Sequence, residues 1–273
     1  MNAAGEAWRE ANRAMWDERV PIHAASRFYD QDGFRAGGGD VNAFEAEEVG
    51  DVTGKSLVHL QCHMGQDTLS WARRGASRVV GLDFSEPAVE VARGLAEEIG
   101  FGPERASFVV ADVYDAREAL DGAVFDIVYT GLGALCWLPD LDRWAEVVAS
   151  LVAPGGFLYL AEFHPLCDAL DWDTGTRFTR DYLATDPMVD DDGGTYTDGP
   201  QDTVNNLSYQ RTHPIGQVVT ALAANGLRVD FLHERDWTLF GHFGSLKPTD
   251  RGYEQPPGTP RAPLMYSLKA SKS

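Results

Sequence analysis

LVHLQCHMGQDTLSWARRGASRVVGLDFS, residues 57–85, holds the clearest alternation of apolar runs, turn and helix in the chain. Leu57, Val58 and Leu60 form a short apolar run, a turn closes on Gly65, and a helix runs from Asp67 to about Arg74, where Gly75 stops it. A second apolar run, Val79 to Leu82, ends on Asp83. Strand, loop, helix, strand is a βαβ unit, which takes its ligand at the carboxyl ends of the strands. A carboxylate closing the second strand accepts hydrogen bonds from both hydroxyls of a ribose, so Asp83 predicts a nucleoside ligand. The loop is not a phosphate cradle, because G-x-G-x-x-G and the lysine of a P-loop are both missing.

Outward from this unit the alternation continues. Ser85 is an N-cap with Pro87 in the first turn, and Ala88, Val91, Ala92, Leu95 and Ile99 share one helix face. A third strand, Ala106 to Ala111, ends at Asp112, an acid that also suits capping of the next helix. A fourth, Phe125 to Tyr129, opens into Thr130, Gly131, Leu132 and Gly133, small residues that permit close approach of a ligand and equally fit an ordinary turn. Leu141, Trp144, Ala145, Val148 and Leu151 define a helix, and Phe157 to Phe163 a fifth strand that delivers Glu162 and His164 to the same rim. His213 and Pro214 lead into a helix carrying Ile215, Val218, Val219 and Leu222 on one face. The alternation of Leu227, Val229 and Phe231 then marks a strand, and Leu264 to Leu268 supply the last one.

Two segments break the pattern. Trp8, Ala11, Met15 and Trp16 recur at helical spacing in an amphipathic helix over 5–20, and RAGGGD at 35–40 is expected to be a flexible hinge behind it. From Trp172 to about Gln210 periodicity is lost, aromatics recur, and acids gather at Asp186, Asp190, Asp191 and Asp192. The length predicts an insertion with a β-hairpin or two over the site mouth, its acids a solvated loop. No metal is expected, since His59 and His63 lie along a strand-to-loop bend and not on one face of a helix.

The strings LQCHMGQDTLSWARRGA and VVGLDFSEPAVEVAR resemble a bacterial subgroup of class I S-adenosylmethionine-dependent methyltransferases that uses LQCHxGxDTL as its first motif. NRAMWDERVPIHAASRFYD, ADVYD, LCWLPDLDRW, APGGFLYLAEFHP, HPIGQVVTAL and GLRVDFLHE extend the resemblance over most of the chain, missing mainly 172–200 and 240–260. It implies an α/β fold: a Rossmann-like seven-stranded sheet, mostly parallel with an antiparallel last strand, plus an N-terminal helical cap and a β-rich insertion. The expected division is a cap over 1–40 and a methyltransferase domain over 41–273, with the insertion at about 171–213. Where such enzymes carry an acid and three alternating glycines, this chain reads His59, Gln61, His63 and Gly65, so only the last glycine is kept.

The resemblance further implies S-adenosyl-L-methionine as methyl donor and S-adenosyl-L-homocysteine as product. It sets the donor against Trp16, Gln61, His63, Gly65, Asp83, Phe84, Ser85, Asp112, Val113 and Thr130, with Asp112 on the adenine amino group, and makes the N-terminal segment a lid facing the cleft with Trp16, Arg19, His23 and Tyr29. Methyl transfer needs a positioned nucleophile with a free lone pair and no metal. The candidates for general base or orienting group are His164, His213 and Tyr29; His164 could instead bond a backbone carbonyl, and His213 could be a helix cap.

At 273 residues, 44% of them apolar, the chain can bury one sizeable core. A formal net charge of -19 repels polyanions, and no basic patch beyond Arg73, Arg74 and Arg78 offsets it. Three unmatched cysteines, a charged start and no membrane-length apolar span predict a reduced cytoplasmic protein. The expected acceptor is a small molecule methylated at oxygen or nitrogen, with no nucleic-acid or membrane partner and a homodimer allowed. Two rivals remain. A nicotinamide-dependent oxidoreductase is opposed by Gln61 and His63 crowding the pyrophosphate position; a nucleotide- or donor-binding protein of this fold without turnover is favoured by the missing glycines.

Overall fold

The computed structural model describes residues 3–273, so the first two positions of the expected 1–40 cap lie outside the described residues. The parallel strands are β1 (Ser56–Leu60), β2 (Arg78–Asp83), β3 (Ala106–Val110), β4 (Phe125–Thr130) and β5 (Val152–Phe163). Between and before them lie α1 (Ala3–Ala24), α2 (Gln31–Arg35), α3 (Ala43–Val49), α4 (Gln66–Arg73), α5 (Glu86–Glu98), α6 (Ala116–Ala119) and α7 (Leu141–Leu151). After β5 come β6 (Met188–Asp190), β7 (Ser208–Gln210), α8 (Ile215–Ala224), β8 (Leu227–Arg235), β9 (Trp237–Thr238), β10 (Lys247–Thr249), β11 (Gly252–Glu254) and β12 (Met265–Lys272). The main sheet has seven strands in the order β3-β2-β1-β4-β5-β12-β8, and β12 runs antiparallel to both β5 and β8. The order reverses between β1 and β4, which opens a crevice at their carboxyl ends.

Apolar runs rather than alternation build the central strands because both faces are covered. Val58, Leu60, Val80, Leu82 and Val128 pack with Trp144, Val148, Val218 and Leu222 of α7 and α8. The intervening residues Leu57, Val79, Ile127 and Tyr129 pack with Trp71, Val89 and Leu95 of α4 and α5. Before β5 pairs fully with β4, three extra residues loop out of it, and a Cβ on Gly156 would come within 2.7 Å of the Asp126 carbonyl oxygen. Only glycine fits that approach.

The expected hinge at 35–40 is not free. Arg73 donates to the carbonyls of Phe34 (2.7 Å) and Gly38 (3.1 Å), and Arg74 grips Asp40 through two hydrogen bonds of 2.8 and 2.6 Å. Charge-assisted bonds to a loop remove the freedom that its three glycines would give it.

The insertion carries the antiparallel pair β6 and β7 and lies along α1. Asn12 imitates a strand residue, donating from Nδ2 to the Tyr209 carbonyl (2.9 Å) and accepting from the Tyr209 N–H (2.8 Å). Trp8 stacks on the Tyr209 ring at 5.6 Å. Glu18 accepts the backbone N–H groups of Val204 and Asn205, and buried Arg19 donates to the carbonyls of Gly194 (3.0 Å) and Asn205 (3.1 Å). Cap and insertion thus form one cover over the crevice.

Candidate functional site

The crevice is an open cleft at the carboxyl ends of the strands, walled by both apolar and polar side chains. Its walls include Trp16, Tyr29, Gln61, His63, Asp83, Phe84, Ser85, Asp112 and Val113, so the structure brings together most of the expected donor residues. It adds Arg9 and Asn12 from α1, Leu132 to Ala134 after β4, Trp137, and Tyr196 of the insertion.

The loop after β1 explains how it dispenses with glycines. Gln61 (φ 58°), His63 (φ 49°) and Gly65 (φ 76°) all sit in the left-handed region. For the two larger residues that conformation costs about 1–2 kcal/mol each, and specific bonds hold it. Gln61 Nε2 donates to the Ala134 carbonyl at 2.9 Å, tying this loop to the one after β4. The His63 N–H donates to Asp83 Oδ2 at 2.8 Å. The His63 ring meets Trp16 at 5.4 Å and Tyr29 at 5.3 Å. Gly65 does not line the cleft: a Cβ there would strike Phe108 and Ala92, so this glycine serves packing of the α4 start.

Asp83 also accepts the Ser85 N–H through Oδ1 (3.0 Å). Burial pushes its carboxyl up to about 6, against the pull of these two N–H groups. Two buried polar atoms of wall residues, Gln61 Oε1 and His63 Nε2, have no hydrogen-bond partner. Asp112 accepts the Tyr114 N–H through Oδ1 (2.9 Å) and pairs through Oδ2 with Arg9 Nε at 2.6 Å.

The loop after β4 hangs on Glu162. Its carboxylate accepts four backbone N–H groups, those of Gly133 (2.6 Å) and Phe163 (2.8 Å) on one oxygen and those of Ala134 and Leu135 (2.9 Å each) on the other. Burial raises this carboxyl to about 7, but its acceptor sites are filled by donors, which leaves no place for a proton. The four converging donors keep it ionised. Thr130 lies fully buried below this loop and forms no part of the cleft wall.

The remaining candidates separate. His164 is buried outside the cleft, accepting the Leu166 N–H on Nδ1 (3.1 Å) and facing Glu234 Oε1 at 3.0 Å. His213 is buried with Nε2 2.9 Å from the Leu138 carbonyl and borders a different surface hollow. Tyr29 does line the cleft, its hydroxyl 2.5 Å from that of Tyr196. Tyr196 Oη lies 3.5 Å from His23 Nδ1, and His23 Nε2 is 2.6 Å from Thr195 Oγ1. Of the four lid residues expected at the cleft, Trp16 and Tyr29 line it, whereas Arg19 and His23 turn to the insertion. Arg9 and Tyr196 were missed. Arg9, Asn12 and Trp16 share one face of α1 at i, i+3, i+7, a polar stripe readable from spacing alone.

Residues 58–156 match a family model described as a methyltransferase domain. The ribosomal RNA large subunit methyltransferase I of Photobacterium profundum is 40% identical over 103 residues, 37% of this chain and 24% of that protein. The ribosomal protein L11 methyltransferase of the same organism is 28% identical over 139 residues, 51% of this chain and 42% of that one. The chain thus spans less than half the length of these curated relatives. A solved S-adenosylmethionine-dependent methyltransferase from Mesorhizobium loti superposes with a TM-score of 0.56 at 23% identity, covering 84% of this chain and 96% of that one. Residues 58–156 are thus similar to a methyltransferase domain, and the chain shares the Rossmann-like fold of that solved structure.

These relatives correct the expected partners. Proteins named for ribosomal RNA and for a ribosomal protein match part of this chain, which overturns the restriction to a small-molecule acceptor and the exclusion of nucleic acid. The net charge of -19 bears on long-range attraction only, and whole-chain charge is a poor guide to what one cleft admits. Among the described residues no helix is long and apolar enough to cross a membrane.

Proposed function

We propose that the chain is an S-adenosylmethionine-dependent methyltransferase acting on an oxygen or nitrogen nucleophile. The observation that carries this reading is the junction of Asp83 with the His63 N–H, which sets a ribose-binding carboxylate beside a left-handed loop at the reversal of strand order. The unpaired Gln61 Oε1 and His63 Nε2 suit a ligand with polar groups at this end, and the cleft residues fit S-adenosylmethionine. When bound, the donor supplies a methyl group on a sulfonium centre, which is transferred as its bonding pair returns to sulfur.

The chain's own part is placement and proton removal. Asp83 orients the ribose and Asp112 the base; Trp16, Tyr29 and His63 exclude water from the reacting end. Burial raises both the Tyr29 and Tyr196 phenols, Tyr196 to about 12, so neither is a phenolate near neutral pH. Burial, aided by Arg19, lowers His23 to about 4 and leaves it neutral with a lone pair. The hydroxyl acceptor's proton passes to Tyr29 Oη as that phenol gives its own to Tyr196 Oη, which in turn gives its own to His23 Nδ1. An amine acceptor that enters neutral needs only the loss of water. The reading places the protein in the reducing cytoplasm, in keeping with free Cys62, Cys136 and Cys167.

A second reading, binding without turnover, is favoured by one observation: Gln61 and His63, not glycines, hold two left-handed positions of the loop after β1. Calorimetric titration with S-adenosyl-L-homocysteine tests the donor site without an acceptor. Labelled methyl transfer from S-adenosyl-L-methionine to ribosomal RNA, ribosomal protein, phenols and amines then tests turnover. Saturable binding with transfer to any class supports the proposal; binding with transfer to none supports the second reading, and no binding overturns both.

A further inference from the structure

We infer that Arg9 of the cap helix is a specificity residue of the nucleoside site, holding Asp112 as a hydrogen-bond acceptor for the amino group of an adenine. The inference rests on the reading above, in which Asp112 faces the base. Its consequence is that base recognition is completed by the cap and is not a property of the sheet alone.

Position comes first. Arg9 and Asp112 both line the cleft, and Arg9 Nε stands 2.6 Å from Asp112 Oδ2. The helix that carries Arg9 is fixed on either side of it. Trp8 Nε1 donates to the Trp137 carbonyl at 3.0 Å, and Asn12 clamps the Tyr209 backbone in both directions. Arg9 is therefore delivered to Asp112 by a docked helix and not by a wandering side chain.

Chemistry follows. Only an ionised carboxylate presents every lone pair as an acceptor; a protonated one offers a donor and favours a carbonyl in its place. The Asp112 side chain is only 11% exposed, and burial raises its carboxyl. Opposing this are the Tyr114 N–H, Arg9 from α1 and Arg143 from α7, while Asp115 raises it further. Arg143 is engaged elsewhere, with Asp115 Oδ1 at 3.0 Å and the Tyr114 carbonyl at 3.3 Å. Arg9 is thus the cation in direct contact with Asp112, and its charge keeps the acid an acceptor. Each carboxylate oxygen retains a second lone pair for the ligand.

The test uses the full chain and two probes, S-adenosyl-L-homocysteine and its deaminated analogue S-inosyl-L-homocysteine, which carries an oxygen where adenine carries the amino group. Calorimetric affinities are taken at about pH 5.5 and about pH 8 for the wild type, Arg9→Met and Arg9→Lys. The wild type is expected to prefer the adenosyl ligand by about tenfold or more at both values, since a polar site discriminates strongly against a mismatched group. Arg9→Met narrows that preference to within about threefold at the lower pH and recovers part of it at the higher, whereas Arg9→Lys keeps it. Taking the ratio within one variant cancels any general loosening of the cap. A wild-type ratio retained by Arg9→Met at both pH values overturns the inference, as does equal wild-type affinity for the two ligands. If the wild type binds neither ligand, the functional reading falls and this inference with it.

Discussion

The backbone N–H of His63 donates to Asp83 Oδ2 at 2.8 Å, so the acid that closes β2 also fixes the loop that follows β1. One carboxylate therefore both shapes the loop and lines the cleft. Replacing Asp83 by Asn removes the charge and sets an amide NH₂ against one of two backbone donors, His63 or Ser85. Affinity for S-adenosyl-L-homocysteine should fall by about 2–3 kcal/mol, read by calorimetry. The wild-type affinity should also depend on pH. In the proposed donor site ribose hydroxyls donate to the ionised carboxyl, protons compete for it, and burial raises it to about 6. Affinity then rises as pH rises through that value and is roughly tenfold weaker one unit below it. A flat profile in the wild type would remove Asp83 from the ribose.

Gln61 tests how a loop with two of its glycines replaced keeps its shape. Its φ of 58° is costly for any residue with a Cβ, and its Nε2 bond to the Ala134 carbonyl offsets that cost. Gln61→Ala keeps the strain and loses the bond, whereas Gln61→Gly loses both. The glycine variant should be more stable than the alanine variant by about 1 kcal/mol, the reverse of the usual order in helices and strands. Urea denaturation midpoints decide it.

What the sequence made legible is what short-range pattern encodes. Apolar runs buried on both faces marked β1, β2, β4 and β5, and an acid at a strand end marked Asp83. Left-handed backbone at Gln61 and His63 left no trace, because neither side chain announces positive φ as glycine does. His164 is read from sequence as a rim residue because it follows β5. Its partner Glu234 stands on β8, and both strands flank β12, a pairing that no local period contains. The three glycines before Asp40 suggested mobility; Arg73 at the end of α4 and Arg74 just after it cancel it through bonds that composition cannot show. Tyr196 escaped for the same reason, since it meets Tyr29 across 167 residues of chain.

Glu162 should be the least replaceable acid of the rim. Four backbone N–H groups converge on it, and Gln would turn one end of the group into a donor facing donors. Glu162→Gln is expected to destabilise the fold by about 2–4 kcal/mol, because buried donors to a charged acceptor lose their partner. Denaturant unfolding measures the loss. Amide exchange at Gly133, Ala134 and Leu135 should quicken more than at β1, and equal protection in both would show that Glu162 is not the anchor of the loop after β4.

The paired phenols separate oxygen from nitrogen acceptors. If Tyr29 and Tyr196 carry a proton toward His23, Tyr29→Phe breaks the chain at its cleft end while leaving Asp83 and Asp112 untouched. Binding of S-adenosyl-L-homocysteine should stay within about twofold of wild type, and transfer to a hydroxyl acceptor should slow by about 10²-fold, a common size for loss of acid–base assistance. Transfer to an amine that enters neutral should change far less, because its lone pair is already free. Tyr196→Phe should reproduce the hydroxyl defect, since the step to His23 Nδ1 runs through its oxygen. Equal rates for Tyr29→Phe and wild type on a hydroxyl acceptor would leave the two phenols as packing groups, and the proton would have to leave by solvent.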